Sequence, residues 1–246
     1  MGVQLDRGLV VVGPCLNNSA AMLQLSVIIP ALNEGGQITG TLKDLSPVRA
    51  AGHEVIVVDG GSSDDTVQQA SDYADLIIAG PKGRARQMNA GADNARGDVL
   101  WFLHADTRVP GEAVQELVAA IDAGNKWGRF NVRLSGSNIM FRLIERMMNL
   151  RSCLTGIATG DQGIFVQRSL FDSLGAYPDI ALMEDVALSA SLKKNARPVC
   201  LRTTLITSSR KWEQHGIVKT ILLMWRLRLA YALGADPDEL AKRYYS

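Results

Sequence analysis

Four short apolar runs, each cut off by an abrupt turn into polar residues, constrain this chain more than any other feature. They are SVIIPALNE (26–34), EVIVVDGG (54–61), ADLIIAG (74–80) and VLWFLHADT (99–107). The runs are short, rich in β-branched residues and continuous rather than alternating, so they read as strands buried on both faces. The first is expected to leave the sheet at Pro30, the second to span Glu54 to Val58, the third Ala74 to Gly80 and the fourth Val99 to Leu103. Helical segments separate them: Gln37 to Leu45, a helix opened by a capping-box pattern at Ser62 and Asp65, Arg84 to Arg96, and Pro110 to Asp122. Strands alternating with helices give an α/β fold with a mainly parallel sheet flanked by helices. Such sheets bind ligands beyond the carboxyl ends of their strands. Asn33, Glu34, Asp59, Arg84, Arg86, His104 and Asp106 fall at those ends.

The second half is less regular. Trp127 to Leu134 and Gly163 to Gln167 read as strands, and Asn138 to Leu150 and Glu184 to Lys194 as helices. Ile217 to Leu233 is a strongly apolar helix, and Asp236, Pro237 and Glu239 open a last short one.

Composition excludes several classes. With 26 Lys and Arg against 25 Asp and Glu, the chain lacks the basic excess of a general nucleic-acid binder. Cys15, Cys153 and Cys200 are odd in number, far apart and in no metal-binding spacing, which points to reduced thiols and an intracellular, cytoplasmic protein. No run reaches the ~18 apolar residues of a membrane span. Met1 to Ala21 is a poor signal peptide and is expected to be a dispensable, partly disordered extension; residues 22–246 are expected to form one domain.

The end of the fourth run carries the sharpest chemistry. A carboxylate at a strand end points into the ligand crevice, and Mg2+ or Mn2+ is commonly held by one or two carboxylates plus substrate phosphates. Asp106 could therefore hold a cation on a diphosphate; equally, Asp106 and Thr107 could cap the helix near Pro110. Asp59 could be a base-recognising acceptor or a turn-forming Asp before Gly-Gly. Glu184 and Asp185, in MEDVALS, could be ordinary first-turn acids or a catalytic pair.

SVIIPALNE, VIVVDGGSSDDT and GRARQMNAGADNARGDVLWFLHADT, in that order, resemble the nucleotide-binding half of family 2 glycosyltransferases of the GT-A fold. The resemblance runs from Leu25 to Arg108 and resumes at TGDQGIFVQRSLF (159–171) and MEDVALSASL (183–192). The HADT variant and SSRKWEQHG (208–216) look most like a compact bacterial subgroup labelled as transferases associated with radical-SAM or selenodomain neighbours. The resemblance implies a GT-A-like, Rossmann-like domain with a nucleotide-binding half (22–108) and an acceptor-side half (109–246). It implies that Pro30, Asn33 and Glu34 lie against the nucleoside, that Asp59 meets the base, typically uracil, and that Arg84 reaches the nucleotide or its phosphates, with Arg86 and Gln87 either helping or forming a solvated helix face. Asp106 would be the metal ligand of the family's DXD motif. His104 stands where the first Asp would be, beside Ala105 on the nucleotide. Asp185 would be the general base, with Glu184 orienting the acceptor. Thr159, Gly160, Asp161 and Gln162 lie in the acceptor-side region, Gly160 allowing close backbone approach. His215 would be a late metal or phosphate contact, in a segment suited to a mobile lid, or equally an exposed histidine on a surface loop, while His53 lies on the surface.

The implied reaction is inverting transfer of a sugar from a nucleotide-sugar donor, UDP-linked, to an unidentified small or lipid-linked acceptor. A sugar-phosphate nucleotidyltransferase should carry a basic Gly-rich loop after the first strand, where this chain has PALNEGGQ. A dinucleotide oxidoreductase should show GxGxxG, which is missing. A binding protein without turnover would leave the acidic pair without a role. The stretches SNIMFRLIERMMNLRSCL (137–154) and IVKTILLMWRLRLAYAL (217–233) could touch a membrane surface, pack on the sheet or form a homodimer contact.

Overall fold

The computed structural model describes residues 23–245, so the expected extension Met1 to Ala21 lies outside the described residues. The four apolar runs form β1 (Leu25–Ala31), β2 (Glu54–Asp59), β3 (Leu76–Ala79) and β4 (Val99–Phe102), all parallel. Every residue of β1, β2 and β4 is buried, while β3 is half exposed because it forms an edge of the sheet. Alternate side chains of the same strands enter opposite layers. Leu25, Val27 and Ile29 pack with Ile38, Leu42 and Leu117 on one face; Ile28, Ile56 and Leu100 pack with Met88 and Leu188 on the other. Each such buried aliphatic contributes about 1.5–3 kcal/mol, which explains why the runs are continuous rather than alternating.

Helices α1 (Gly35–Asp44), α2 (Ser46–Ala50), α3 (Thr66–Ala70), α4 (Arg84–Asn94) and α5 (Ala113–Asp122) connect and cover these strands. The Ser62–Asp65 capping box does not form. Asp64 accepts the Thr66 N–H instead, and the Ser62 hydroxyl is taken by the loop after β1. β1 continues through Pro30 to Ala31. Ile28 C=O accepts from Leu103 and Ala31 C=O from Gly60, on opposite sides of the strand. Pro30 therefore turns its bare nitrogen to the β4 side, where the ladder has already ended at Phe102, and no hydrogen bond is lost.

The rest of the sheet comprises β5 (Trp127–Leu134), β6 (Phe165–Gln167) and β7 (Val199–Thr207), giving the order β3-β2-β1-β4-β6-β5-β7. β6 is antiparallel to both β4 and β5, and β5 and β7 are parallel with a register shift between Arg129 and Asn131. The sheet is thus mixed and mainly parallel, as expected. Sequence reading misses β7, whose buried Leu201, Leu205 and Thr207 alternate with the polar Arg202 and Thr204. It also misses α2 and α7 (Arg168–Ser173).

The long helix α6 (Ile139–Thr155) starts at Asn138, whose side chain accepts the Met140 N–H, and ends at Gly156 with φ 70°. Glu145 and Asn149 hold it to β5 through the Leu134 and Val132 backbone. α8 (Glu184–Asn195), α9 (Arg210–His215), α10 (Ile217–Ala232) and α11 (Pro237–Tyr245) complete the chain. SSRKWEQHG is therefore partly helical, with Trp212 packed beside Phe141 and Ile144. One further expectation changes. His53 is half buried and its Nδ1 accepts the Leu25 N–H, so burial lowers its pKa. Cys153 and Cys200, though distant in sequence, are free thiols in side-chain contact, and burial, then Cys153, pushes the Cys200 thiol up to about 11.

Candidate active site

The loops after β1 and β2 are stitched to each other. Asn33 adopts φ 55°, a conformation Asn tolerates better than most residues. Its N–H donates to Ser62 Oγ at 2.9 Å and its Oδ1 accepts from Ser63 N–H at 2.8 Å. The Glu34 N–H donates to Thr66 Oγ1 at 2.8 Å. Asp59, 9% exposed, accepts the N–H groups of Gly61 and Ser62. This is the turn-forming arrangement, and a carboxylate has about four acceptor sites, so room remains for a ligand donor. Gln87 is buried rather than solvated: its Nε2 donates to Ala31 O and Val58 O, both at 2.8 Å, tying the ends of β1 and β2. Arg86 is exposed and turns to Asp179 at 2.6 Å.

At the end of β4 the chain makes a tight turn, with Thr107 N–H donating to His104 O. The residue that caps α5 is Glu112, so Asp106 and Thr107 do not serve that helix. Ala105 is buried and its C=O accepts from Thr41 Oγ1 at 2.7 Å. The Asp106 side chain has no hydrogen-bond or ion-pair partner among the described residues. His104 turns inward. Its Nδ1 lies 3.2 Å from Asp161 Oδ1, and its Nε2 is buried without a partner. A Cβ on Gly160 would sit 2.5 Å from that Nε2, so the close approach expected of Gly160 is real.

Gly160 and Asp161 belong to a 3-10 turn (Gly160–Gln162) closed by a capping box between Thr159 and Gln162. The same turn meets the acidic pair. Gly160 N–H donates to Asp185 Oδ2 at 2.7 Å, and Val186 N–H donates to Oδ1 at 2.7 Å. Asp185 is thereby fixed at the head of α8, where the helix dipole favours an anion. Met183, just before the pair, has φ 69°, a strained conformation for a non-glycine residue. Glu184 is 2% exposed and sits 3.4 Å from Arg84 Nη1. Burial, then the neighbouring Asp185 charge, raises its pKa; Arg84, the Glu184 N–H and His104 hold it back. The structure thus joins residues from four separate segments: Arg84, His104, Gly160–Asp161 and Glu184–Asp185.

His215 is exposed at the end of α9, and Arg210 on the same helix reaches Glu34 at 3.4 Å. Among the described residues no three His, Cys, Asp or Glu side chains converge as a ready-made metal cage. Asp106 nevertheless suits a hard cation that keeps one or two protein carboxylates and takes its other oxygens from phosphate and water.

Residues 26–170 match the model of glycosyl transferase family 2. This chain belongs to that family. It is 28% identical to the probable glycosyltransferase YdaM of Bacillus subtilis over 242 residues, 88% of this chain and 56% of that protein. It is 32% identical to the uncharacterized glycosyltransferase Rv1514c of Mycobacterium tuberculosis over 195 residues, 74% and 73% of the two chains. The chain therefore spans little more than half of the Bacillus protein. Among solved structures, Staphylococcus aureus TarS 1–349 in complex with UDP-GlcNAc superimposes with a TM-score of 0.61 at 20% identity, covering 76% of this chain and 58% of that one. Glucosyl-3-phosphoglycerate synthase of M. tuberculosis, in complex with Mn2+, UDP and glucosyl-3-phosphoglycerate, gives 0.57 at 20% identity, covering 75% and 71%. The fold is that of the GT-A glycosyltransferases.

Proposed function

We propose that this family 2 glycosyltransferase moves a sugar from a UDP-linked donor to an acceptor hydroxyl in one inverting displacement, with Asp185 as general base. The observation that carries the reading is the placement of Asp185. Two backbone N–H groups hold its carboxylate, and one comes from the turn that also holds His104 at the end of β4. In the step, the acceptor oxygen attacks the anomeric carbon as its proton passes to Asp185. The bond from that carbon to the UDP oxygen breaks, and UDP leaves. Pro30, Asn33, Glu34 and Asp59 form the nucleoside side, with Arg84 toward the phosphates. Asp106, with His215 from α9, would hold Mg2+ or Mn2+, which supplies charge neutralisation for the leaving diphosphate. His104 and Ala105 support the turn that presents Asp106, and Glu184 orients the acceptor. We assign residues 22–246 to one catalytic domain, divided between donor and acceptor at about Arg108. The His-Ala-Asp-Thr sequence supports membership of the compact radical-SAM- or selenodomain-associated subgroup.

A cytoplasmic location is part of the proposal, and work at a membrane face is supported by two apolar stripes. Leu143, Met147, Leu150 and Leu154 on α6, and Val218, Leu222, Trp225 and Leu229 on α10, are all exposed and share one helical spacing. Among the described residues no helix is long and apolar enough to cross a membrane.

The test is calorimetric binding of UDP with Mn2+ and with chelator, to the full chain and to Asp106→Ala. Metal-dependent binding that loses its metal dependence in the variant is expected. Equal UDP affinity under all four conditions removes Asp106 from the metal role.

A further inference from the structure

Beside the acidic pair is a second chemistry that the donor reading does not use. A half-open pocket of about 210 Å³ is lined by α6, the head of α8 and α10. Met183 and Val186, which flank Glu184 and Asp185 in sequence, form one wall; Ile157 and Tyr231 add apolar surface. Two basic residues, Arg151 from α6 and Arg228 from α10, line the same space. No ion pair to a carboxylate forms at either one among the described residues, and Arg151 Nη2 is buried without a hydrogen-bond partner.

Two cations that share a cavity repel each other, and an orphaned buried N–H leaves a strong donor unused. Burial, then the neighbouring Arg228, pushes the Arg151 pKa down to about 10, with Arg129 adding to it and Asp185 opposing. Burial lowers Arg228 as well, again opposed by Asp185. Both groups remain charged at neutral pH. The Asp185 charge acts on both, which couples the cavity to the carboxylate assigned as base.

Resting on the glycosyltransferase reading, we infer that Arg151 and Arg228 form an acceptor subsite for a phosphate monoester, so that the acceptor is a phosphorylated compound. A dianionic phosphate matches two guanidinium forks in charge and geometry. The apolar wall suits the carbon skeleton next to the phosphate, and the acceptor hydroxyl would lie toward Asp185. A soluble phosphate ester and a lipid phosphate share this chemistry.

The experiment is calorimetric titration of phenyl phosphate into the full chain and into Arg151→Gln, Arg228→Gln and Arg228→Lys. UDP with Mn2+ is titrated into the same samples as a control of fold and donor site. Phenyl phosphate is expected to bind the unmodified chain. Each Gln variant should lose about tenfold or more in affinity, and the Lys variant less, because it keeps the charge but not the fork. A chain that binds UDP but not phenyl phosphate, or Gln variants that bind phenyl phosphate unchanged, would overturn the subsite. Arginine-dependent phenyl phosphate binding without UDP binding would keep the subsite and remove the donor reading. Flotation with phosphatidylcholine vesicles, with and without phosphatidic acid, separates the sources. Arginine-dependent capture only by phosphatidic acid identifies a lipid phosphate. Arginine-dependent phenyl phosphate binding without capture identifies a soluble ester.

Discussion

The ends of β1 and β2 and the helices α6 and α10 are held in place by different means. Around β1 and β2, loop backbone is tied by side chains: Asn33 to Ser62 and Ser63, Glu34 to Thr66, and Gln87 to both strands. On the far side, α6 is anchored by Glu145 and Asn149, while α10 buries only Leu227 among its residues. One region is a stiff platform with few exposed apolar groups. The other is a looser cover, and such elements open locally at lower free energy. The difference fits a division of labour in which the platform fixes the donor and the cover adapts to the acceptor.

The sharpest way to break that division is Asp185→Asn. Turnover should fall about 10²–10⁴-fold, as for loss of a general base, while UDP affinity holds; full turnover would remove the base. Next comes the platform. Gln87→Leu removes the side-chain donor shared by the Ala31 and Val58 carbonyls, although Ala31 keeps the Gly60 N–H, and the two lost hydrogen bonds should lower stability by about 1–3 kcal/mol, read from urea unfolding. An unchanged midpoint would mean that the platform does not depend on this tie. Glu184→Gln tests the junction between the regions. Its raised pKa means that the folded state holds the proton more tightly than the unfolded one. The resulting stabilisation is full below the ordinary carboxylate range and is lost as pH rises through the raised value. The variant should flatten that part of the stability–pH curve, and an unchanged slope would contradict the shift. The smallest effect on folding belongs to the cover: Trp225→Glu should change stability by within about 0.5 kcal/mol yet weaken vesicle flotation. Unaltered flotation would count against the membrane reading.

The platform was legible in the sequence because its strands are continuous apolar runs with polar ends. The cover was not, for identifiable reasons. β7 carries Arg202, Thr203 and Thr204 inside a strand that buries only alternate residues, so no run stands out. Gln87 looked like one polar residue on a polar helix; its burial depends on the strand ends it meets. Arg151 and Arg228 are 77 residues apart on separate helices, and only packing places them in one cavity. The pairing of His104 with Asp161 likewise joins two segments that show no common pattern. In contrast, Gly160 was readable, because a glycine beside polar residues before a strand signals backbone approached closely.

The contact between Arg84 and Glu184 reaches from the head of one helix to the head of another. Arg84 is one of the charges that restrain the rise in the Glu184 pKa. Any anion that draws Arg84 toward itself leaves the buried acid with less opposition to protonation. Donor phosphate held by Arg84 would then bind together with a fractional proton taken from solvent. The heat of binding would depend on the ionisation enthalpy of the buffer, and donor affinity would fall with rising pH across the interval in which Glu184 titrates.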